Sequence, residues 1–227
     1  MNIHGAKELY RNYKDNPYGL SVRITNEEYR NRLTSWQVPA IKKHLGDLTG
    51  KVFIDLGAGD IVLGEKLNEI GIPKKFYVQD INRASIESGF KRLQKSGVDT
   101  SNIIGLVSDN FDFSLIEDNE LDCAFSNSLF SHLPFNSIYN CLVNLQSKMK
   151  PKTKYYSSMI ILPDNTERDS FSWHPKDSNT SFSFRDPYHY TEKGLLNNMN
   201  KKNTGFIIKE IHEYGHPFQK LVEFEKV

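Results

Sequence analysis

Three carboxylates in this chain close three short apolar runs. Asp55 follows Val52-Phe53-Ile54, Asp80 follows Phe76-Tyr77-Val78-Gln79, and Asp109 follows Ile103 to Val107 and Ser108. The first acid leads straight into Leu56-Gly57-Ala58-Gly59, and the third into Asn110 and Phe111. A carboxylate accepts both hydroxyls of a ribose in a bidentate geometry, and a carboxylate or amide oxygen accepts from the exocyclic amine of a base. A ring such as Phe111 can stack on or flank that base. Glycines at a turn let a ligand approach the backbone where a side chain would block it. Together they make a strand–turn–helix ligand site with acids at the strand ends, and which ligand it takes is open at this point.

A second group of residues offers proton transfer. His132 opens the helix expected after the fourth strand. Asp186 and His189 stand three residues apart in Phe184-Arg185-Asp186-Pro187-Tyr188-His189-Tyr190-Thr191, spaced to act as an orienting acid and a base. The same segment reads equally as a loop packed by its tyrosines, with Thr191 capping the helix that follows. His174 and His216 sit in other late loops, and Tyr214-Gly215-His216-Pro217 reads as the shaping turn of a terminal hairpin.

Elements must exist to place these groups. Val52–Leu56, 75–80, 103–107, 121–125 and 155–162 are apolar or β-branched runs and predict strands. Between them, Ile61 to Ile70, 83–95 (capped by Asn82) and 134–149 show helical spacing. Strands alternating with helices predict a parallel, doubly wound α/β sheet, with its ligand beyond the carboxyl ends of the strands. Runs at 206–211 and 221–224, joined by a turn, predict a closing antiparallel hairpin, and 192–199 a last helix. The long polar and aromatic stretch 163–190 exceeds an ordinary connector and predicts an acceptor-pocket loop. Thr25-Asn26-Glu27-Glu28 has capping-box spacing, which predicts one helix through Leu33 and a second over Ser35 to Leu45. Residues 1–50 are thus expected to form a helical cap, and 51–227 a single catalytic unit.

At 227 residues with a formal net charge of +1, nothing steers the chain towards nucleic acid or an anionic membrane. Neither a signal-like start nor a long apolar stretch occurs. Cys123 and Cys141 are spaced neither as a zinc site nor as a redox pair, so buried free thiols in a reducing cytoplasm are expected.

Two nucleotide-binding classes use an acid-ending second strand after a glycine turn. The dinucleotide fingerprint needs a third glycine where this chain has Val62. Taken together, the landmarks resemble the class I S-adenosylmethionine-dependent methyltransferases over roughly Lys51 to Val227. The resemblance implies a seven-stranded Rossmann-like sheet and S-adenosylmethionine as cofactor, with S-adenosylhomocysteine as its product. Asp55, Gly57, Ala58 and Gly59 match the family's first motif, against the methionine part of the cofactor. Asp80 with Ile81 takes the ribose position, and Asp109, Asn110 and Phe111 the adenine position. Ser126 and Asn127 belong to the segment after strand four, and Met149-Lys150-Pro151-Lys152 matches a bend that often reads Leu-Lys-Pro-Gly. One departure is Ile61, where the family often has glycine.

No run resembling Asn-Pro-Pro-Tyr follows strand four, which argues against a base-flipping amino-methyltransferase, and no acids cluster there to hold a metal. The expected acceptor is a small polar molecule. Similarity to bacterial methyltransferases of sugars and polysaccharide precursors rests on the late aromatic run and the His-Pro before the last strand. It implies O-methylation, with His189 or His132 as base and Asp186 as orienting acid. An inactive methyltransferase-fold partner protein is the alternative, and an NAD-dependent oxidoreductase a weaker one.

Overall fold

The computed structural model describes residues 2–5, 26–166, 171–175, 179–199 and 204–227. Tyr10, Tyr13, Tyr18, Arg168 and Lys176 fall outside the described residues. The chain packs as two units, Met1–Asp112 and Phe113–Val227.

In the first unit, β1 (Ile3–Gly5), β2 (Val52–Leu56), β3 (Lys75–Asp80) and β4 (Ile103–Val107) lie side by side in the order β1-β4-β3-β2. Every pairing is parallel. β2 is buried along its whole length, as its unbroken apolar run demands. Phe53 stacks on Phe76 of β3 at 5.3 Å between ring centres. Ile86, Phe90 and Leu93 of helix α3 (Arg83–Lys95) are completely buried, and Asn82 caps that helix by accepting from the Ser85 N–H at 3.2 Å. β1 was not expected, because three residues carry too little periodicity to read.

Two predicted N-terminal helices are one, α1 (Glu27–His44). The cap is Asn26, whose Oδ1 accepts from the Glu28 N–H at 2.9 Å. Thr34 and Ser35, where a break was expected, turn their hydroxyls back onto the Arg30 and Arg32 carbonyls at 3.1 and 2.7 Å. Bonded in this way, they do not compete with the helix backbone for partners. The expected helix over Ile61 to Ile70 is instead a 3-10 stretch, Val62–Lys66, followed by a single turn, α2 (Leu67–Ile70).

The second unit orders β5 (Leu121–Ser126), β6 (Met149–Leu162), β11 (Lys220–Lys226) and β10 (Phe206–Glu213) as β5-β6-β11-β10. β5 and β6 run parallel, while β11 is antiparallel to both β6 and β10, as the closing hairpin predicted. Helix α4 (Phe135–Gln146) buries Ile138, Cys141, Leu142 and Leu145, and both cysteines are buried thiols outside any disulfide. β6 starts earlier than predicted and carries Lys152 at φ 62°, the conformation a glycine of the family bend would take.

The described residues of 163–190 include strands where a loop was expected. β7 (Phe171–His174) and β8 (Asn179–Phe182) form an antiparallel hairpin, and β9 (His189–Thr191) pairs in parallel with the end of β6. Helix α5 (Glu192–Asn198) follows, with the Thr191 hydroxyl accepting from Gly194 N–H at 3.1 Å, the cap expected.

Candidate functional site

The first unit gathers its acids around the glycine turn that follows β2. The Ala58 N–H donates to the Gln79 carbonyl at 2.9 Å, and the Gly59 N–H to Asp80 Oδ2 at 2.9 Å. Asp80 Oδ1 accepts from the Asn82 N–H at 2.8 Å. One carboxylate at the end of β3 thus ties the glycine turn to the start of α3. Gly57 and Gly59 both hold positive φ, at 69° and 54°. A Cβ built on Gly59 would meet nothing within 4 Å, so the turn faces open space, as close approach of a ligand requires. Burial raises the Asp80 pKa, ahead of the opposing pull of the Asn82, Gly59 and Ile81 amides. Asp55 is buried beneath the turn, and its pKa lies well above the usual carboxylate range through burial and then the charge of Asp80.

Ile61 sits at φ 59°, ψ 50°, where the family often has glycine. A β-branched residue in this region costs about 1–3 kcal/mol. The side chain is completely buried, which contributes about 1.5–3 kcal/mol and offsets the strain. Glycines on adjoining segments make the space. A Cβ on Gly89 would lie 2.3 Å from the Asp60 carbonyl oxygen and 2.8 Å from Ile61 Cγ1. Because the obstacle is backbone, Gly89→Ala should destabilise the fold by about 1–3 kcal/mol in urea denaturation. It should also weaken binding of a nucleoside ligand several-fold, because the turn itself must move.

Asp60 completes this corner. It is 2% exposed, with Arg92 Nη2 3.1 Å from its carboxylate, while Arg92 also binds Glu65, which Arg30 contacts at 3.4 Å. Burial outweighs the attraction of Arg92 and Arg30 and pushes Asp60 up to about 6. The folded chain therefore keeps a proton that the unfolded chain has already lost between about pH 4 and pH 6, and stability falls as pH rises through that window. Asp60→Asn removes the effect. Its unfolding free energy relative to wild type should rise by about 2 kcal/mol between pH 4 and pH 7, read by urea denaturation at both values.

At the end of β4 the Ser108 hydroxyl donates to Asn110 Oδ1 at 2.8 Å, and the Gln79 amide donates to the Ser108 carbonyl at 2.9 Å. Asn110 Oδ1 is engaged, so exposed Asp109 is the better placed to accept from a base amine. Phe111, at φ 57°, is 5% exposed, so its ring packs into the turn and offers no open stacking face.

The second unit presents its own group beyond β5. The Ser126 hydroxyl is buried and bonded to Tyr155 (2.9 Å) and Ser157 (2.8 Å), which leaves only its backbone for a ligand. Asn127 Oδ1 accepts from the Tyr214 hydroxyl at 2.6 Å. His132 closes the 3-10 turn Phe130–His132 rather than opening a helix. Its Nδ1 lies 2.6 Å from Asp186 Oδ1, and both side chains are partly exposed.

The expected pairing of Asp186 with His189 is not formed. His189 is 4% exposed, and its Nδ1 bonds the Ser181 hydroxyl at 3.1 Å, which in turn bonds His174 Nε2 at 2.7 Å. Burial lowers the His189 pKa and favours the neutral ring. His216 acts in the turn, its Nδ1 accepting from the Gln219 N–H at 3.2 Å. Sequence reasoning missed Ser158, Tyr214 and Gln219 as site residues. The signal available was the serine pair 157–158 inside an apolar strand.

With these strand orders and the closing antiparallel hairpin, the chain has the α/β, Rossmann-like fold of the class I S-adenosylmethionine-dependent methyltransferases. Solved structures of that fold superpose on it. One is an S-adenosylmethionine-dependent methyltransferase from Aquifex aeolicus, at TM-score 0.65 and 19% identity over 93% of this chain and 98% of that one. Another is geranyl diphosphate C-methyltransferase from Streptomyces coelicolor A3(2) in complex with Mg2+, geranyl diphosphate and S-adenosyl-L-homocysteine, at 0.63 and 13% over 100% and 93%. A third is magnesium protoporphyrin IX methyltransferase from Synechocystis PCC 6803 with bound S-adenosylhomocysteine, at 0.63 and 14% over 92% and 94%. No family model and no curated protein matches the sequence. Among the described residues, no helix is long and apolar enough to cross a membrane, and no group of three or more His, Cys, Asp or Glu side chains is placed to hold a metal ion.

Proposed function

We propose that the protein is an S-adenosylmethionine-dependent methyltransferase acting on a small polar acceptor. The observation that carries this is Asp80, whose carboxylate ends β3 and already organises the open glycine turn through the Gly59 N–H. A ribose hydroxyl pair adds to a carboxylate held in that way. Exposed Asp109 supports the adenine end. When bound, S-adenosylmethionine supplies an electrophilic methyl group for in-line displacement.

For a hydroxyl acceptor the protein must align the oxygen and receive its proton. His132 carries that role in our reading. Asp186 accepts from the Nδ1–H and so leaves Nε2 as the basic nitrogen. His132 Nε2 would receive the acceptor proton and pass it on to solvent. His189, neutral and enclosed by Ser181, serves to anchor the loop.

We further propose O-methylation of a sugar or polysaccharide precursor. Support comes from the aromatic late segment, where Phe171, Trp173 and Phe184 are exposed, rings suited to the apolar faces of a sugar. The test is transfer of a labelled methyl group from S-adenosylmethionine to a panel of sugars, nucleotide sugars and matched amines. Labelled O-methyl sugar is the expected product. Labelling confined to amines would overturn the acceptor assignment.

A further inference from the structure

Within the first unit, the peptide that joins Asp60 to Ile61 is held from behind by one helix face. Gly89 and Arg92 stand three residues apart on α3 and therefore lie on the same side of it. Gly89 leaves room for the Asp60 carbonyl oxygen, which would lie 2.3 Å from a Cβ there, and Arg92 Nη2 donates to that oxygen at 2.5 Å. The same nitrogen lies 3.1 Å from Asp60 Oδ2, and Nη1 binds Glu65 of the 3-10 stretch. Glu65 is in turn contacted by Arg30 of α1 at 3.4 Å. One guanidinium thus ties the glycine turn and the 3-10 stretch to α3.

Stability alone does not account for an arginine at this place. Its side chain is 17% exposed, and its Nε is buried with no hydrogen-bond partner among the described residues. Buried ion pairs add little net stability, because removing two charges from water costs about as much as their attraction returns. What the guanidinium supplies is direction. A carbonyl that must point at α3 fixes the backbone angles on either side of its peptide, and the next residue is Ile61, left-handed at φ 59°. A β-branched residue stays in that region only where its surroundings hold it. Gly57 and Gly59 adopt positive φ unaided, so the Asp60–Ile61 peptide is the strained link of the turn.

We propose that Arg92 is a positioning residue for the ligand turn: by holding the Asp60 carbonyl towards α3, it keeps residues 57–61 in the shape that receives a nucleoside. The inference rests on the methyltransferase reading for the identity of that ligand. Arg92 does not touch the ligand in this scheme and acts through the turn backbone. Glu65 fixes the other end of the guanidinium, so its loss has the smaller effect.

The experiment is calorimetry with S-adenosylhomocysteine on wild type, Arg92→Met, Arg92→Lys and Glu65→Gln, beside amide hydrogen exchange of each protein without ligand. Arg92→Met is expected to weaken S-adenosylhomocysteine about tenfold or more, because a charge-assisted bond to the turn is lost. Arg92→Lys recovers part of that loss, since an ammonium still offers the Asp60 carbonyl a charged donor. Glu65→Gln weakens binding about threefold, by leaving the guanidinium less firmly aimed. In wild type the Gly59 N–H is bonded to Asp80 and the Ile61 N–H to the Ala58 carbonyl. Exchange at these two amides in Arg92→Met should speed up about tenfold more than in β2, which a uniform loss of stability would not produce. The inference is overturned if folded Arg92→Met binds S-adenosylhomocysteine within about threefold of wild type, or if turn and β2 amides speed up together. Should Arg92→Met fail to fold, Arg92→Lys and Glu65→Gln decide, and wild-type affinity with wild-type turn exchange in both overturns it. Failure of wild type to bind S-adenosylhomocysteine would instead overturn the methyltransferase reading, and the exchange result, which needs no ligand, would still decide whether Arg92 holds the turn.

Discussion

Asp80→Ala is expected to weaken S-adenosylhomocysteine binding by about two to four orders of magnitude. The carboxylate has two tasks in this reading. It receives the ribose hydroxyls, and it holds the Gly59 and Asn82 amides at 2.9 and 2.8 Å, which keeps the glycine turn in its ligand-ready shape. Hydrogen bonds to a charged group contribute about 1.5–3 kcal/mol each, so loss of two costs about 3–6 kcal/mol, at 1.4 kcal/mol per tenfold. Asp80→Asn should fall between, because an amide nitrogen facing the Gly59 N–H sets donor against donor. The wild-type affinity has a matching pH dependence. Burial raises the Asp80 pKa, and the ionised form is the one that accepts these bonds. Affinity is therefore full above that raised pKa and declines as the solution is acidified through it. Calorimetry across pH, with circular dichroism to confirm folding of each variant, reads both effects.

His132→Ala should lower turnover by about 10²–10⁴-fold while S-adenosylhomocysteine affinity stays within twofold, the range general bases ordinarily contribute. Asp186→Asn should lower turnover less, because its 2.6 Å contact sets the His132 tautomer without meeting the acceptor. His189→Ala should behave otherwise. That ring lies in the buried chain with Ser181 and His174, so its removal leaves buried hydroxyl and imidazole groups short of a partner and lowers thermal stability. Single-turnover assays with the acceptor identified by methyl transfer separate these outcomes. Full turnover in His132→Ala would remove it as base.

The cluster of acids around the glycine turn of the first unit is legible in the sequence because its landmarks are local. Asp55, Asp80 and Asp109 each end an apolar run, and parallel pairing of successive strands brings such ends together without any long-range inference. The contact between His132 and Asp186 is not legible in that way. His132 and Asp186 lie 54 residues apart, and they meet because Tyr188 N–H donates to the Ser131 carbonyl at 2.6 Å and β9 pairs with the end of β6. Spacing favoured Asp186 with its near neighbour His189, but burial of His189 on β9 turns it to Ser181. Ile61 and Lys152 illustrate a different limit. Both adopt positive φ at positions where a glycine would signal it. At Ile61 the burial of the side chain offsets the backbone cost, so residue type there conceals the conformation. The amphipathic run Ile61 to Ile70 misled for the same reason, because a left-handed residue at its start yields a 3-10 stretch and one α turn in place of a longer helix.

The most direct test is calorimetric titration of the wild-type protein with S-adenosylhomocysteine and, separately, with NAD. The account predicts saturable one-to-one binding of S-adenosylhomocysteine that is lost in Asp80→Ala, and no heat of binding with NAD. Saturable binding of NAD, or no binding of S-adenosylhomocysteine by the folded wild-type chain, would contradict it.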